Sequence, residues 1–161
     1  MLTSGPIRFA FELGYAPWDA NGVEVTETKR ITLDAGSHLN RIDSRYTFAG
    51  VGAIDVAAGL AVHAGADPSV LDDGNVLSVW DTPQDPTAGR IATGMVSIKD
   101  HRSTIAAGHA LMVFHVKSGE AIPYAAGSGW SKADMPNQQA WNDSLKLSLL
   151  EEQHPLEVRW K

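Results

Sequence analysis

In the stretch "LNRIDSRYTF", Arg41, Asp43 and Arg45 fall on every second position, while Ile42, Tyr46 and Phe48 fall between them. On an extended backbone that period sends the charged set to one face and the apolar set to the other. A guanidinium presents a planar fork that matches a sugar carboxylate. Asp43 between two such forks would orient them, accept hydroxyl hydrogen bonds or move a proton. The same stripe also fits a solvated sheet face whose charges pair across strands. Arg8 and Glu12 repeat the pattern on a smaller scale, and there a solvent face fits better.

His63 ends the stretch "AAGLAVH" and is the histidine best suited to general acid or base work, since imidazole titrates near neutral pH. A structural histidine at a strand end is the other reading. Tyr124 and Trp130 flank Gly127 and Gly129 in "YAAGSGWSKAD", read as a loop. Aromatic faces stack on the C–H faces of sugar rings, and glycines allow close backbone approach, so the loop suits a cleft wall. It suits an aromatic-anchored turn leading into a helix equally well. For hydrolysis two carboxylates must flank a sugar bond, and for elimination a base must reach the C5 proton of a uronate; Asp43, Asp81 and Glu12 are the carboxylates to consider.

Other chemistries lack their spacing. There is no HExxH or His-x-His pair for a metal, no GxSxG, and no GxxxxGK[ST]. Asp67, Asp72 and Asp73 are hard oxygen donors, but "DPSVLDDGN" is not an EF-hand loop and reads as an ordinary acidic turn. No cofactor or metal is expected. The chain has no cysteine, which excludes disulfides and thiolate chemistry. A net charge of −6 with scattered basic residues argues against a nucleic-acid partner. No apolar run approaches the roughly 20 residues that span a bilayer, and the opening "MLTSGPIRFAFELGY" has no basic leader or cleavage site, so no membrane partner or export signal is expected.

The elements that must position these residues are mostly strands. Ile7, Phe9, Phe11, Leu13 and Tyr15 alternate with polar or small residues, which predicts a half-buried strand with the apolar set inward. "VEVTETKRITL", Leu39–Phe48, Ile54–His63, "VLSVWDT", Ile91–Ile98 and Ala110–Lys117 read as further strands, with "AGADPSVLDDGN" and "KDHRSTIAAG" as loops between them. Late in the chain Trp141, Leu145 and Leu149 recur at helical spacing, with Asp134 and Pro136 near the start and His154-Pro155 at the stop. "LEVRW", with Trp160, reads as a last strand. The expectation is one all-β domain over residues 1–161, an antiparallel β-sandwich of about eight to nine strands with one C-terminal helix. With 43% hydrophobic residues the chain can fill the core this requires.

The stretches "LTSGPIRFAFELGYAPWDANGVEVTETKRITLDAGSHLNRIDSRYTF", "AAGLAVH" and "IPYAAGSGWSKADMPNQQAWNDSL" with "HPLEVRW" occur in the order of a bacterial family. The chain resembles the C-terminal half of a domain of unknown function often labelled a pectate-degradation protein and found beside polysaccharide-degrading enzymes. The resemblance covers nearly all of the chain and implies a galactose-mutarotase-like sandwich, an architecture in which a His and a carboxylate work together. It implies a carbohydrate-active protein acting on uronic-acid-containing oligosaccharides by hydrolysis or elimination. In that reading Arg41 and Arg45 hold the carboxylate, His63 and Asp43 move protons, and Tyr124 and Trp130 stack on the oligosaccharide. A non-catalytic sugar-binding sandwich and a structural half-domain completed by oligomerisation are the competing readings. Members of the family are longer and carry export signals, implying a periplasmic or secreted setting. An edge strand lacking its neighbour makes a homodimer the expected assembly.

Overall fold

The computed structural model describes residues 1–155; the expected strand "LEVRW" lies outside them. Its strands are β1 (Thr3–Ser4), β2 (Arg8–Gly14), β3 (Trp18–Asp19), β4 (Glu24–Asp34), β5 (Leu39–Phe48), β6 (Ile54–Ala61), β7 (Asp67–Leu71), β8 (Val76–Asp81), β9 (Ile91–Val96), β10 (Arg102–Ala106), β11 (His109–Val116) and β12 (Ala121–Trp130), followed by one helix, α1 (Gln138–Gln153). Nine of them form a large sheet in the order β1-β2-β4-β5-β12-β9-β8-β7, with β3 paired to β4, and β10-β11-β6 form a small one. Within both sheets the paired strands run antiparallel. The all-β sandwich with a late helix is therefore the observed architecture. Three segments read as loops are strands instead: β7 inside "AGADPSVLDDGN", β10 inside "KDHRSTIAAG", and β12 over "YAAGSGW".

The small sheet covers one face of the large sheet and the helix covers the other. Val56 on β6 and Ala110, Met112, Phe114 and Val116 on β11 pack against Leu77, Val79, Met95 and Ile122 of the large sheet. On the opposite face Trp141, Leu145 and Leu149 of α1 pack against Val76, Ala92, Val96 and Ala125. β8 thus lies between two cores, which explains why "VLSV" is buried without alternation. Its one polar member, Ser78, donates from Oγ to Asn142 Oδ1 at 2.6 Å and so enters the core satisfied. The helix starts at Asn137, whose side chain accepts from the Ala140 amide at 2.9 Å. With 16 residues, it is not long and apolar enough to cross a membrane, nor is any other described helix.

Both covers sit mainly over the β12-β9-β8-β7 side of the large sheet and reach part of β4 and β5, where Val25, Tyr46 and Phe48 join the core under the small sheet and Leu39 joins that under the helix. The other wing, β1-β2-β4-β5, extends past the three-stranded sheet, and this reverses the expectation for β2. Ile7, Phe9, Leu13 and Tyr15 are exposed, Ile7 by 75%, and the residue of β2 that is buried is Ala10. Period-two alternation sorted the residues onto faces correctly, but no partner layer reaches the apolar face.

Candidate functional site

β8 sends Leu77, Val79 and Asp81 to the side of the small sheet, so Asp81 continues the row of core residues at the point where the core runs out. From the other layer, β6 ends at Ala61, Val62 still packs on the core, and His63 follows at the surface. The two side chains meet with His63 Nδ1 2.6 Å from Asp81 Oδ2. The second carboxylate oxygen, Oδ1, accepts the Thr82 amide at 2.7 Å, which fixes the carboxylate's orientation. In the neutral imidazole, donation from Nδ1–H to the carboxylate leaves Nε2 with the lone pair of a base. Among the described residues Nε2 has no hydrogen-bond partner. The His63 side chain is 72% exposed and that of Asp81 17%, so the base is presented to solvent while its anchor is held within the protein.

This pair borders a cleft of about 980 Å³ between the layers, with Leu60 and Ile91 as apolar wall and Thr82, Gln84 and Thr93 as polar lining. A second cleft of about 590 Å³ lies between the end of α1 and the sheet, lined by Asp34, Arg41, Glu151 and Glu152 among others. Among the described residues its lining holds one guanidinium, already paired with Glu152, against three carboxylates. The inter-sheet cleft combines room with an oriented base and is the candidate site.

The structure does not gather the other expected residues there. Arg41, Asp43 and Arg45 stand on the helix side of the large sheet, in register with Thr32, Arg30 and Thr28. Arg41 donates to Glu152, Arg45 donates to the Gly119 carbonyl, and Asp43 faces Arg30, which in turn faces Glu12 across β2. At the end of this charged face Arg8 grips Asp34 through two bonds, of 2.5 and 2.7 Å. The Arg8 hydrogen bonds hold the Asp34 carboxyl below the usual Asp range, against a small opposing effect of burial. The cross-strand ion pair on this face among the described residues is Arg8 with Asp34, and Arg41 and Asp43 also border a small cleft of about 270 Å³ whose lining includes Tyr124.

Tyr124 and Trp130 lie on the opposite face of β12, in register with Ile42 and Ile91. Tyr124 Oη is 3.5 Å from Ser44 Oγ, and the Trp130 indole donates to the Ala88 carbonyl at 2.7 Å. Through its neighbour Ile91, Trp130 adjoins the cleft wall; Asp43 lies across the sheet from His63. The glycines between the aromatics serve the fold. A side chain on Gly127 would stand 1.9 Å from the His38 carbonyl oxygen, and one on Gly129 would meet Met135 at 2.6 Å.

Sequence reasoning chose His63 but did not join it to Asp81. The available signal was phase: in "VLSVWD" the aspartate falls on the positions of Leu77 and Val79, which face the layer that carries His63. Two further pairs, His115 with Asp55 and His38 with Asp134, lie outside this cleft. No group of three or more His, Asp or Glu side chains among the described residues could hold a metal ion.

The description "Domain of unknown function (DUF4861)" matches residues 1–158. The chain belongs to the DUF4861 family. This DUF4861 chain is also similar to uncharacterized protein P7 of Formosa agariphila, with 26% identity over 165 residues, covering 98% of the chain and 40% of P7. It therefore spans less than half the length of that relative.

Proposed function

We propose that this DUF4861 chain acts on uronic-acid-containing oligosaccharides, with His63 as the proton-transfer group and Asp81 as the residue that orients it. The observation that carries the reading is the 2.6 Å contact between His63 Nδ1 and Asp81 Oδ2 at the edge of a cleft with room for sugar rings. The substrate class comes from the resemblance to pectate-degradation proteins with mutarotase-like sandwiches. Elimination is the better supported reaction, because it asks for one base near a ring C–H. Hydrolysis by paired carboxylates needs a second carboxyl, and Asp81 is the one carboxylate among the described residues lining the cleft. Trp130, beside Ile91, is the aromatic residue best disposed to meet an extending sugar.

The test is incubation with pectic and other uronate oligosaccharides, followed by assay for unsaturated uronate absorbance and for new reducing ends. His63→Ala is expected to abolish turnover, and Asp81→Asn to lower it by about 10²-fold or more while sparing binding. Unchanged rates in both variants overturn the assignment. A non-catalytic sugar-binding module is the second reading. It is favoured by one observation: no Lys or Arg among the described residues lines the cleft to neutralise a uronate carboxylate. Saturable binding of these sugars by the wild-type protein without product supports that reading.

A further inference from the structure

On the face of the wing that carries Phe9 and Leu13, strand register sets Glu27 beside Tyr46 and Lys29 beside Ser44, while β12 brings Tyr124 beside Ile42. Glu27 and Lys29 are two residues apart on β4 and share this face. Their side chains are 12% and 22% exposed, so both are sheltered but reachable. Lys29 Nζ lies 3.2 Å from Glu27 Oε1 and 5.3 Å from the centroid of the Tyr15 ring, within cation–π reach. The ammonium is at ion-pair distance from Oε1 but outside hydrogen-bonding alignment. That buried oxygen has no hydrogen-bond donor among the described residues. Native proteins seldom leave such an acceptor unmet, and a bound molecule is one way of meeting it.

The neighbours keep Lys29 charged. Burial works to lower the Lys29 pKa, and the combined influence of Tyr124, Glu27 and Tyr15 outweighs it, so the ammonium sits above the ordinary lysine value. Burial, and then Glu27, push the Tyr46 phenol well above its ordinary value, so it stays a neutral hydroxyl. A ligand at this place must donate a hydrogen bond to a carboxylate and accept one from an ammonium at adjacent points. A simple anion meets Glu27, and a simple cation meets Lys29. A sugar hydroxyl does both through one oxygen, and the exposed ring of Tyr15 offers a C–H stacking surface alongside.

We propose that Glu27, Lys29 and Tyr15 form a saccharide-binding site on this wing, separate from the inter-sheet cleft. Lys29 covers the Glu27 oxygen, and rotation of its flexible stem admits the hydroxyl. The site is independent of the chemistry at His63. Its test is calorimetric titration of the protein with tetragalacturonate and, separately, with cellotetraose, which distinguishes acidic from neutral sugars. Saturable binding of at least one is expected. Glu27→Gln and Tyr15→Ala should each weaken it about tenfold, whereas His63→Ala should leave it unchanged. Tyr15 is exposed, so its truncation spares the fold and decides the matter if Glu27→Gln proves unstable. The proposal is overturned by no saturable binding of either sugar or by undiminished affinity in both variants. It is also overturned if light scattering shows that Tyr15→Ala changes the oligomeric state, which would give the face to a second copy of the chain. Loss of turnover in His63→Ala bears on the cleft alone.

Discussion

The two halves of the large sheet are built from similar alternating strands but end in different environments. Around β12, β9 and β8, one face meets the small sheet and the other meets α1, so apolar residues on both faces are buried. In the β1-β2-β4-β5 wing the covers reach only part of β4 and β5, where Val25, Leu39, Tyr46 and Phe48 are buried, and β2 beyond them presents apolar and aromatic side chains on one side and charged residues in cross-strand register on the other. The difference shows that a strand's pattern determines what its faces are made of, while the neighbouring layers determine whether a face is core. Amphipathic alternation in β2 is therefore no measure of burial.

That contrast can be broken or sharpened by mutation. Trp141 is fully buried under the helix, with its indole donating to the Thr93 carbonyl at 3.1 Å, and Trp141→Ala should cost about 4 kcal/mol in denaturant unfolding. A loss below about 1 kcal/mol would mean that the helix contributes little to this core. On the wing, Leu13→Ser should change stability by no more than about 0.5 kcal/mol, because Leu13 is already exposed. A larger loss would show that the apolar face is covered in solution.

The smallest effect concerns the exposed ion pairs. The hydrogen bonds from Arg8 lower the Asp34 carboxyl from its ordinary 3.8, and the contact with Lys99 lowers that of Glu120 from 4.5. A depressed carboxyl contributes stability above its unfolded value and loses it as pH falls through the folded one. Thermal melts should therefore weaken as acidification passes below pH 4.5 and 3.8, and Asp34→Asn should flatten the lower part of that decline. An identical acid profile in the variant would remove Asp34 from this account.

The sandwich and its late helix were legible in the chain because alternation and the Trp141, Leu145, Leu149 spacing are local signals. β12 was not, since Gly127 and Gly129 read as loop formers; they are strand residues whose bare backbone lets the His38 carbonyl and Met135 approach closely. Nor was it visible that the charged stripe and the two aromatic side chains lie on opposite faces of the sheet, with Tyr124 bordering a small cleft beside Arg41 and Asp43, although their register was implicit. Arg41 pairs with Ala125 and Tyr124 with Ile42, and adjacent residues of one strand face opposite ways. His63 could be chosen from its residue type, but its partner belongs to the other sheet, and the packing of two sheets has no signature in a short window.

The imidazole is carried by the small sheet and its carboxylate anchor by the large one. Their contact is consequently a gauge of how the layers are seated, more than of either strand alone. A slip of one residue between the layers, about 3.3 Å, would part them and disarm the base without altering a single backbone torsion nearby.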